Sequence, residues 1–497
     1  MNGPVDFRPT GAAADATPAD AALPAQLDAA RHDRWSISLI PGVVGLVDFL
    51  IMAISAIQAI KYFVILSDAN RDQYLFAVVF IIFGSILLFH RAGLYEIDAI
   101  MRPLRYSDAV IAAVATSFLF FFSMIFALNV AETFSLTCLA AFAGFSIVGV
   151  VALRAAAYPL LRRLGRTGRL SRSLVVLGAG EQASRFLERI ADVRPYFTDV
   201  VGVYADGVDP GGKVEGHPIL GGADRLLRDV RAGLIDDVVV ALPWNADKEL
   251  VQTVERLKEL PINVYISSDL IGFRLRFRQV LGADAQLSMF EVERRPIAGW
   301  SSLLKALEDY VLASVALILL SPILLLVALA IKIDDPDGPI FFMQKRLGFN
   351  NQVFEIYKFR SMYKNSGSAI EVKQATKNDP RVTRVGRIIR ATSIDELPQL
   401  LNVLNGTMSL VGPRPHAISH NEEFGRQIRG YFSRHKVKPG ITGWAQVNGL
   451  RGETETLDKM EARIRHDVYY AENWSLLFDL RILVTTVLVL FFQRSAY

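Results

Sequence analysis

The 497-residue chain has a single cysteine, Cys138, set in an apolar run. One thiol excludes a disulfide framework and a thiolate metal cluster. Charge is scarce: 21% of residues are Asp, Glu, Lys or Arg, and the formal net charge is only +4. That balance carries no global signal for nucleic acid, so what matters is where the charge lies. Large apolar side chains are almost missing from residues 1–30, which are rich in Ala, Pro and Asp. Such a stretch has too little to bury and is expected to be a disordered tail. It also lacks a charged start followed by an apolar core, so no cleaved signal peptide is expected. No Tyr is followed by Lys four residues on, and nucleotide-sugar dehydratases and epimerases need that pair to move protons. What the chain has in excess is apolar surface. Hydrophobic residues make up 52% and mean hydropathy is +0.30, which points to a membrane protein.

Four apolar runs lie near residues 39–66, 73–90, 108–130 and 134–153, each able to cross a bilayer as a helix. Arginines precede the first run (Arg31, Arg34), separate the second from the third (Arg91, Arg102, Arg105), and crowd behind the fourth from Arg154 to Arg172. The positive-inside rule then gives four spans over 31–171, with both ends of the set cytoplasmic. Asp48 falls inside the first run, where a buried helix–helix hydrogen bond explains it better than a functional polar site.

From Ser173 the period changes to short strands (174–180, 200–206, 236–243, 262–268) alternating with amphipathic helices. That alternation predicts a small doubly wound, Rossmann-like α/β domain over 172–268. Gly178-x-Gly180-x-x-Ala183 follows the first strand, and Asp206 ends the second. The glycines fit a dinucleotide fingerprint, and equally a tight strand-to-helix turn that binds nothing. Residues 269–300, with Arg274, Arg276 and Arg278, are expected to be a linker.

The densest chemistry lies in residues 390–415, RATSIDELPQLLNVLNGTMSLVGPRP. Between residues 341 and 400 there are eleven Lys or Arg against five Asp or Glu, and the adjacent acids Asp395 and Glu396 sit among them. Carboxylates among cations suit phosphate chemistry, as nucleophile or metal ligand. The plainer reading is a capping box, Ser393 with Glu396 at a helix start. Pro398 opposes that register, because it would fall at the fifth helical position. It fits better at the first position of a helix through residues 399–404, ended by Gly406, with both acids on the preceding turn. Spacing alone leaves catalysis and capping both standing.

Four ordered blocks bear on that choice: residues 338–362 (GPIFFMQKRLGFNNQVFEIYKFRSM), 378–390 (NDPRVTRVGRIIR), 393–415 and 438–449 (KPGITGWAQVNG). Together they closely resemble the signature of the bacterial sugar transferases, the polyprenyl-phosphate hexose-1-phosphate transferases, over about residues 300–497. The upstream spans and α/β region resemble the long members of that family. The resemblance implies transfer of hexose 1-phosphate, glucose being the favoured sugar, from a UDP-sugar to undecaprenyl phosphate, with UMP released, as the first lipid-linked step of exopolysaccharide or capsule assembly. It implies Asp395 as nucleophile, forming a covalent phosphosugar intermediate, and Glu396 as its acidic partner. The cations Lys358, Arg360, Arg390 and Arg414 would meet phosphates, and Gln344 and Arg346 match a further motif. A carboxylate approaching a diphosphate needs a divalent ion, so Mg²⁺ is expected, held by Glu396 with Asp395. Thr442-Gly443-Trp444 is expected on a loop near nucleotide or sugar. The rival readings are a non-enzymatic scaffold of a polysaccharide assembly complex and an NAD-dependent nucleotide-sugar enzyme. Self-association is left open, and no nucleic-acid partner is expected.

Residues 311–331 form one more apolar run, flanked by Lys305 and Lys332 and centred on Ser321-Pro322. A helix of that length runs about 31 Å, enough to span. A full span would carry the acid pair out of the cytoplasm, away from nucleotide sugars. The expectation is therefore a re-entrant helix over about 302–332, broken at Ser321-Pro322, in a monotopic, α-rich catalytic domain (301–497) on the cytoplasmic face of the bacterial inner membrane; the competing reading is an ordinary span kinked at Pro322. Because the family-like blocks begin only near residue 300, the α/β domain is expected to be dispensable for chemistry. The C-terminal apolar run is interrupted by Asp479 and Arg481 and is expected to lie at the interface, with Trp474 at the boundary.

Overall fold

Apolar side chains repeated along a whole helix surface leave no polar face for water, and the first helices of this chain are of that kind. The computed structural model describes residues 37–64, 68–167, 169–242, 247–267, 289–363, 379–416, 418–450 and 456–492. The tail at 1–30, Arg31, Arg34 and the arginines at 274, 276 and 278 lie outside the described residues. Among those described, five helices are long and apolar enough to cross a membrane, and the chain is a membrane protein with an α/β domain. Helices α1 (Ile40–Phe63), α2 (Asp68–Arg91), α3 (Ser107–Ala127) and α4 (Leu136–Arg166) share one apolar core containing Met52, Ile81, Val114 and Phe142. Their outer faces, with Leu46, Phe83, Leu119 and Val148, stay exposed, which water would not tolerate over so large an area.

Asp48 makes more than a hydrogen bond. Arg154 of α4 donates from Nη2 to its Oδ2 at 2.5 Å, and from Nη1 to the Leu94 carbonyl at 3.1 Å. Both side chains are buried, and the guanidinium lies over the rings of Phe89 and Tyr95. This ion pair ties the first helix to the fourth inside the apolar core.

The α/β domain holds a seven-stranded sheet in the order β3-β4-β2-β1-β5-β6-β7. Its parallel centre is β4 (His217–Gly221), β2 (Thr198–Tyr204), β1 (Arg172–Leu177), β5 (Asp237–Val240) and β6 (Asn263–Ser267). The near-continuous Val and Leu of these strands suit a sheet covered on both faces. Helices α5 (Glu181–Val193), α6 (Ala223–Arg231) and α7 (Asp247–Leu257) connect the strands. Two antiparallel edges go beyond the expected set: β3 (Lys213–Val214) and β7 (Met289–Glu293). Residues 289–293, read as linker, thus extend the sheet. Long-range pairing, not local composition, recruits them. Asp206 does not stand free at the strand end: its Oδ1 accepts from the Ala223 N–H at 2.9 Å and caps α6.

Helix α8 (Trp300–Asp334) runs 35 residues and is not interrupted at Ser321-Pro322. Pro322 lacks the N–H that would bond Ile318, and the Ser321 hydroxyl donates to that carbonyl instead, at 2.8 Å. The expected break is therefore a proline inside a continuous helix. Both ends of α8 are fastened to the same C-terminal domain. Asp309 Oδ1 accepts from the Leu410 N–H at 2.9 Å, and Asp334 Oδ2 from the Val385 N–H at 3.0 Å. Lys305 is not a solvent-facing flank. It is buried and paired with Asp479 (2.6 Å) and Asp309 (3.1 Å). Asp479 likewise is buried on the inner face of α12 (Leu476–Phe492), where it also accepts from Tyr470 of α11 (Leu457–Glu472) and from Trp474, so it does not interrupt the outer apolar face of Leu477, Val484 and Leu488.

Removing one partner of a buried pair strands the other charge, at a cost of about 3–5 kcal/mol. Asp48→Ala should therefore lower the melting temperature of the purified protein in detergent sharply. The double variant Asp48→Leu/Arg154→Met should recover most of it. An unchanged melting temperature in Asp48→Ala would show that the pair does not hold the helices.

Candidate active site

Three short segments meet at the acid pair. The first is the hairpin of β8 (Phe341–Leu347) and β9 (Val353–Phe359), in which Phe342 lies opposite Lys358, Gln344 opposite Ile356, and Arg346 opposite Phe354. Opposed residues share a face, so Gln344, Arg346 and Lys358 project from the same side. Asn402 fixes this hairpin to α10 (Gln399–Leu404): its Oδ1 accepts from Tyr357 N–H at 2.9 Å and its Nδ2 donates to Glu355 O at 2.7 Å.

The second segment carries the acids. Helix α9 (Arg384–Ala391) ends, Ser393 takes a left-handed conformation at φ 57°, and a 3₁₀ turn, Ile394–Glu396, follows. A serine there is unusual and reverses the chain abruptly. The capping box does not form: Ser393 makes no side-chain cap, and the Glu396 carboxylate turns to cations instead. Pro398 stands as N-cap of α10, one position before the place expected, and Gly406 beyond its end has φ 80°.

The third segment is the loop 412–415 after β10 (Ser409–Val411), which pairs in parallel with β11 (Gly440–Thr442). A Cβ on Gly412 would come within 2.4 Å of the Lys438 carbonyl, and one on Gly440 within 2.0 Å of the Gly412 nitrogen. Only glycines allow this backbone contact, which presses the Arg414 loop onto β11.

Glu396 is the joint between the three. Arg414 grips it with two bonds, Nη2 to Oε1 at 2.6 Å and Nη1 to Oε2 at 3.1 Å, and Lys358 Nζ donates to Oε1 at 3.0 Å. Burial works to raise its pKa, but the charges of Arg414 and Lys358 outweigh that and hold the carboxyl well below the usual range. Asp395 is the opposite case. It has no hydrogen bond or ion pair among the described residues, and burial followed by the neighbouring Glu396 charge raises its pKa against the pull of Lys358, Arg390 and Arg414. Two adjacent carboxyls are thus driven apart in acidity, a pattern of acid–base and nucleophilic sites.

The cations divide as well. Arg346 donates to Gln344 Oε1 at 2.6 Å, while its buried Nε has no partner among the described residues. Burial, then repulsion from Arg414, lowers its pKa to about 10, so it stays charged at neutral pH. Arg390, in the last turn of α9, is half-buried and close enough to Asp395 to lower its pKa. Arg360 does not join them. It pairs with Asp335 at 3.0 Å and ties the end of α8 to β9. Thr442 bonds Thr486, and Trp444 packs on Phe478 under the Arg481 guanidinium, so this loop supports α12.

Behind Arg414 lies a buried polar network that composition did not reveal. Arg434 donates from Nη2 to the Arg414 carbonyl at 2.6 Å and pairs with Asp467 at 2.8 Å. Tyr431 hydrogen-bonds His416 at 2.7 Å and donates to Asn421 at 2.8 Å. The only sequence signal was the basic run 434–436, whose partners lie far away in the chain. For a divalent ion, the described residues hold no group of three or more His, Cys, Asp or Glu side chains. Among the described residues the carboxylates at hand there are the acid pair, a set compatible with Mg²⁺, which commonly takes one or two carboxylates and completes its shell with water and substrate phosphate.

Known proteins resemble this chain over two regions. A family described as bacterial sugar transferase matches residues 300–493, and one described as CoA-binding domain matches residues 90–268. A protein of Klebsiella pneumoniae is 40% identical over 348 residues, covering 68% of this chain and 73% of its own length. One of Caulobacter vibrioides is 50% identical over 261 residues, covering 52% of this chain and 91% of its own. One of Escherichia coli K12 is 43% identical over 302 residues, 60% of this chain, and the match spans 63% of that relative's length. All three bear the name UDP-glucose:undecaprenyl-phosphate glucose-1-phosphate transferase. With its acid pair, cation face and Gly-Pro-Arg-Pro loop inside the matched region, the chain belongs to the bacterial sugar transferase family.

Proposed function

We propose that this protein is a phosphoglycosyltransferase that moves glucose 1-phosphate from UDP-glucose to undecaprenyl phosphate, releasing UMP and opening exopolysaccharide synthesis. The observation that carries the reading is the unpartnered Asp395 carboxylate beside a Glu396 locked between two cations. The names of the relatives supply the substrates.

The chemistry follows in two displacements. Asp395 attacks the sugar-bearing phosphorus, the bond from that phosphorus to the bridging oxygen breaks, and UMP leaves with the electron pair. An oxygen of undecaprenyl phosphate then attacks the same phosphorus, and the Asp395 carboxylate leaves. Arg346 and Arg390 have donors to offer the diphosphate, and Lys358 and Arg414 neutralise charge from the Glu396 side. Mg²⁺, held by Glu396 with Asp395 and the substrate phosphates, would supply further neutralisation of the diphosphate.

In the same reading, α1–α4 are a transmembrane bundle, and α8, continuous but able to bend where Pro322 removes a backbone hydrogen bond, is re-entrant and dips into the cytoplasmic leaflet of the inner membrane. The anchoring of both its ends to one domain supports this, as does the exposed row of Val315, Ile318, Leu319, Leu325, Leu326 and Leu329.

Three outcomes test these statements. Asp395→Asn should lower UMP release by about a thousandfold or more with the fold intact, and a chelator should stop the wild type until Mg²⁺ is restored. Near-normal turnover of the variant would remove Asp395 as nucleophile, and turnover unaffected by chelation would remove the metal. The acid limb of kcat/KM should lie above an ordinary Asp pKa of about 3.9. In Glu396→Gln that limb should move to lower pH, because a like charge is gone and two cations are freed. A limb that stays or rises would show that Asp395 does not set it.

For topology, cysteines placed singly at 294 and 332 in a Cys138→Ala background flank α8 at exposed positions. An impermeant thiol reagent should reach both in inside-out vesicles and neither in spheroplasts. Labelling of 332 from outside would make α8 a full span.

A further inference from the structure

Three consecutive residues, Arg434, His435 and Lys436, reach three different parts of the molecule. Arg434 holds the Arg414 carbonyl at 2.6 Å. His435 Nδ1 contacts Asn351 at the tip of the β8–β9 hairpin. Lys436, buried, pairs with Glu293 of β7 at 2.7 Å. The 3₁₀ segment containing them, Tyr431–Lys436, is gripped by the α/β domain at its other end too. Glu259 accepts from the Gly430 N–H, and Glu255 pairs with Arg429. The hairpin tip is held from the same side. Asn350, in the left-handed region at φ 53°, donates from Nδ2 to the Arg231 carbonyl at 2.8 Å and so caps the end of α6.

From this geometry we infer that the α/β domain is a positioning element of the proposed active site, acting through the clamp of Asn350 and the 434–436 run. It fastens at once the hairpin that carries Gln344, Arg346 and Lys358 and the loop that carries Arg414. Asn402 holds the hairpin strand and Gly440 the loop within the catalytic region, and the clamp adds a hold at the hairpin tip and at the Arg414 carbonyl. Leu347 and Gly348 share one small gap with Pro413–Pro415, and Arg434 and His435 line it, so the hairpin tip and the Arg414 loop meet across the 434–436 run. His435 transmits contact, not charge: burial, then the adjacent Arg434, lowers its pKa to about 3, and it stays neutral at working pH. Glu293 and Lys436 touch no substrate. They are positioning residues, and they make the α/β domain more than the dispensable attachment that its place upstream of the family-like blocks suggests.

The inference rests on the proposed activity, and the test separates the two. Full-length Lys436→Glu, Glu293→Lys and the swapped double variant would be compared in nanodiscs with UDP-glucose and undecaprenyl phosphate. Each single reversal should raise KM for UDP-glucose and lower kcat/KM by about tenfold. The swap should return both to within about threefold of wild type. Amide hydrogen exchange over residues 347–353 should accelerate in the singles and recover in the swap. Asn350→Ala should accelerate the same amides if a charge reversal fails to fold. Exchange unchanged in every variant, or kinetics unchanged in folded single reversals, overturns the clamp. A wild type that releases no UMP overturns the proposed activity instead, and the exchange pattern still decides the clamp.

Discussion

The ion triad Lys358–Glu396–Arg414 is the constraint on which the site depends. Each member comes from a different segment, so the triad forms only when hairpin, turn and loop are all in place. Glu396 is 12% exposed, and a carboxylate at that depth is stable only because two cations face it. Asp395 beside it has no hydrogen bond or ion pair among the described residues, and burial followed by the Glu396 charge raises its pKa. In the proposed reading, structural pairing of one acid leaves the other open for chemistry.

The supports behind the triad are of two kinds. Asn402, Asp309 and Arg434 bond backbone groups of β9, β10 and the Arg414 loop, each from a buried position where water offers no substitute. The Gly412–Gly440 contact works by steric permission, allowing two backbones to touch. Lys305, Asp309 and Asp479 then join α8, β10 and α12, so the helices with large apolar outer faces are anchored to the same polar hub as the site. A large apolar surface and a charged site can therefore share one small domain.

The parts legible in the sequence are those with local causes. Runs of apolar residues gave the four leading helices, though the fourth continues past its run to Arg166, alternating strands and helices gave the α/β domain, and Pro398 with Gly406 bounded α10. The acid pair stood out because two carboxylates among eleven cations are locally improbable. The surroundings of Arg360 and Asp479 were not legible for a common reason. What a charged residue next to an apolar run faces is decided only by its partner, here Asp335 for the first and Lys305 for the second.

By itself, the sequence determined which residues bring charge, which helices must leave water, and where prolines and glycines turn the chain, because these follow from side-chain solvation and backbone sterics over a few neighbouring positions. Tertiary structure alone decided how charges pair. It gave Glu396 to Arg414 and Lys358 and left Asp395 open, joined Asp48 to Arg154 across 106 positions, and set Lys436 against Glu293 across 143. The pairing energy of two charges depends on their separation in space and on the water excluded between them, and neither quantity is written along the chain.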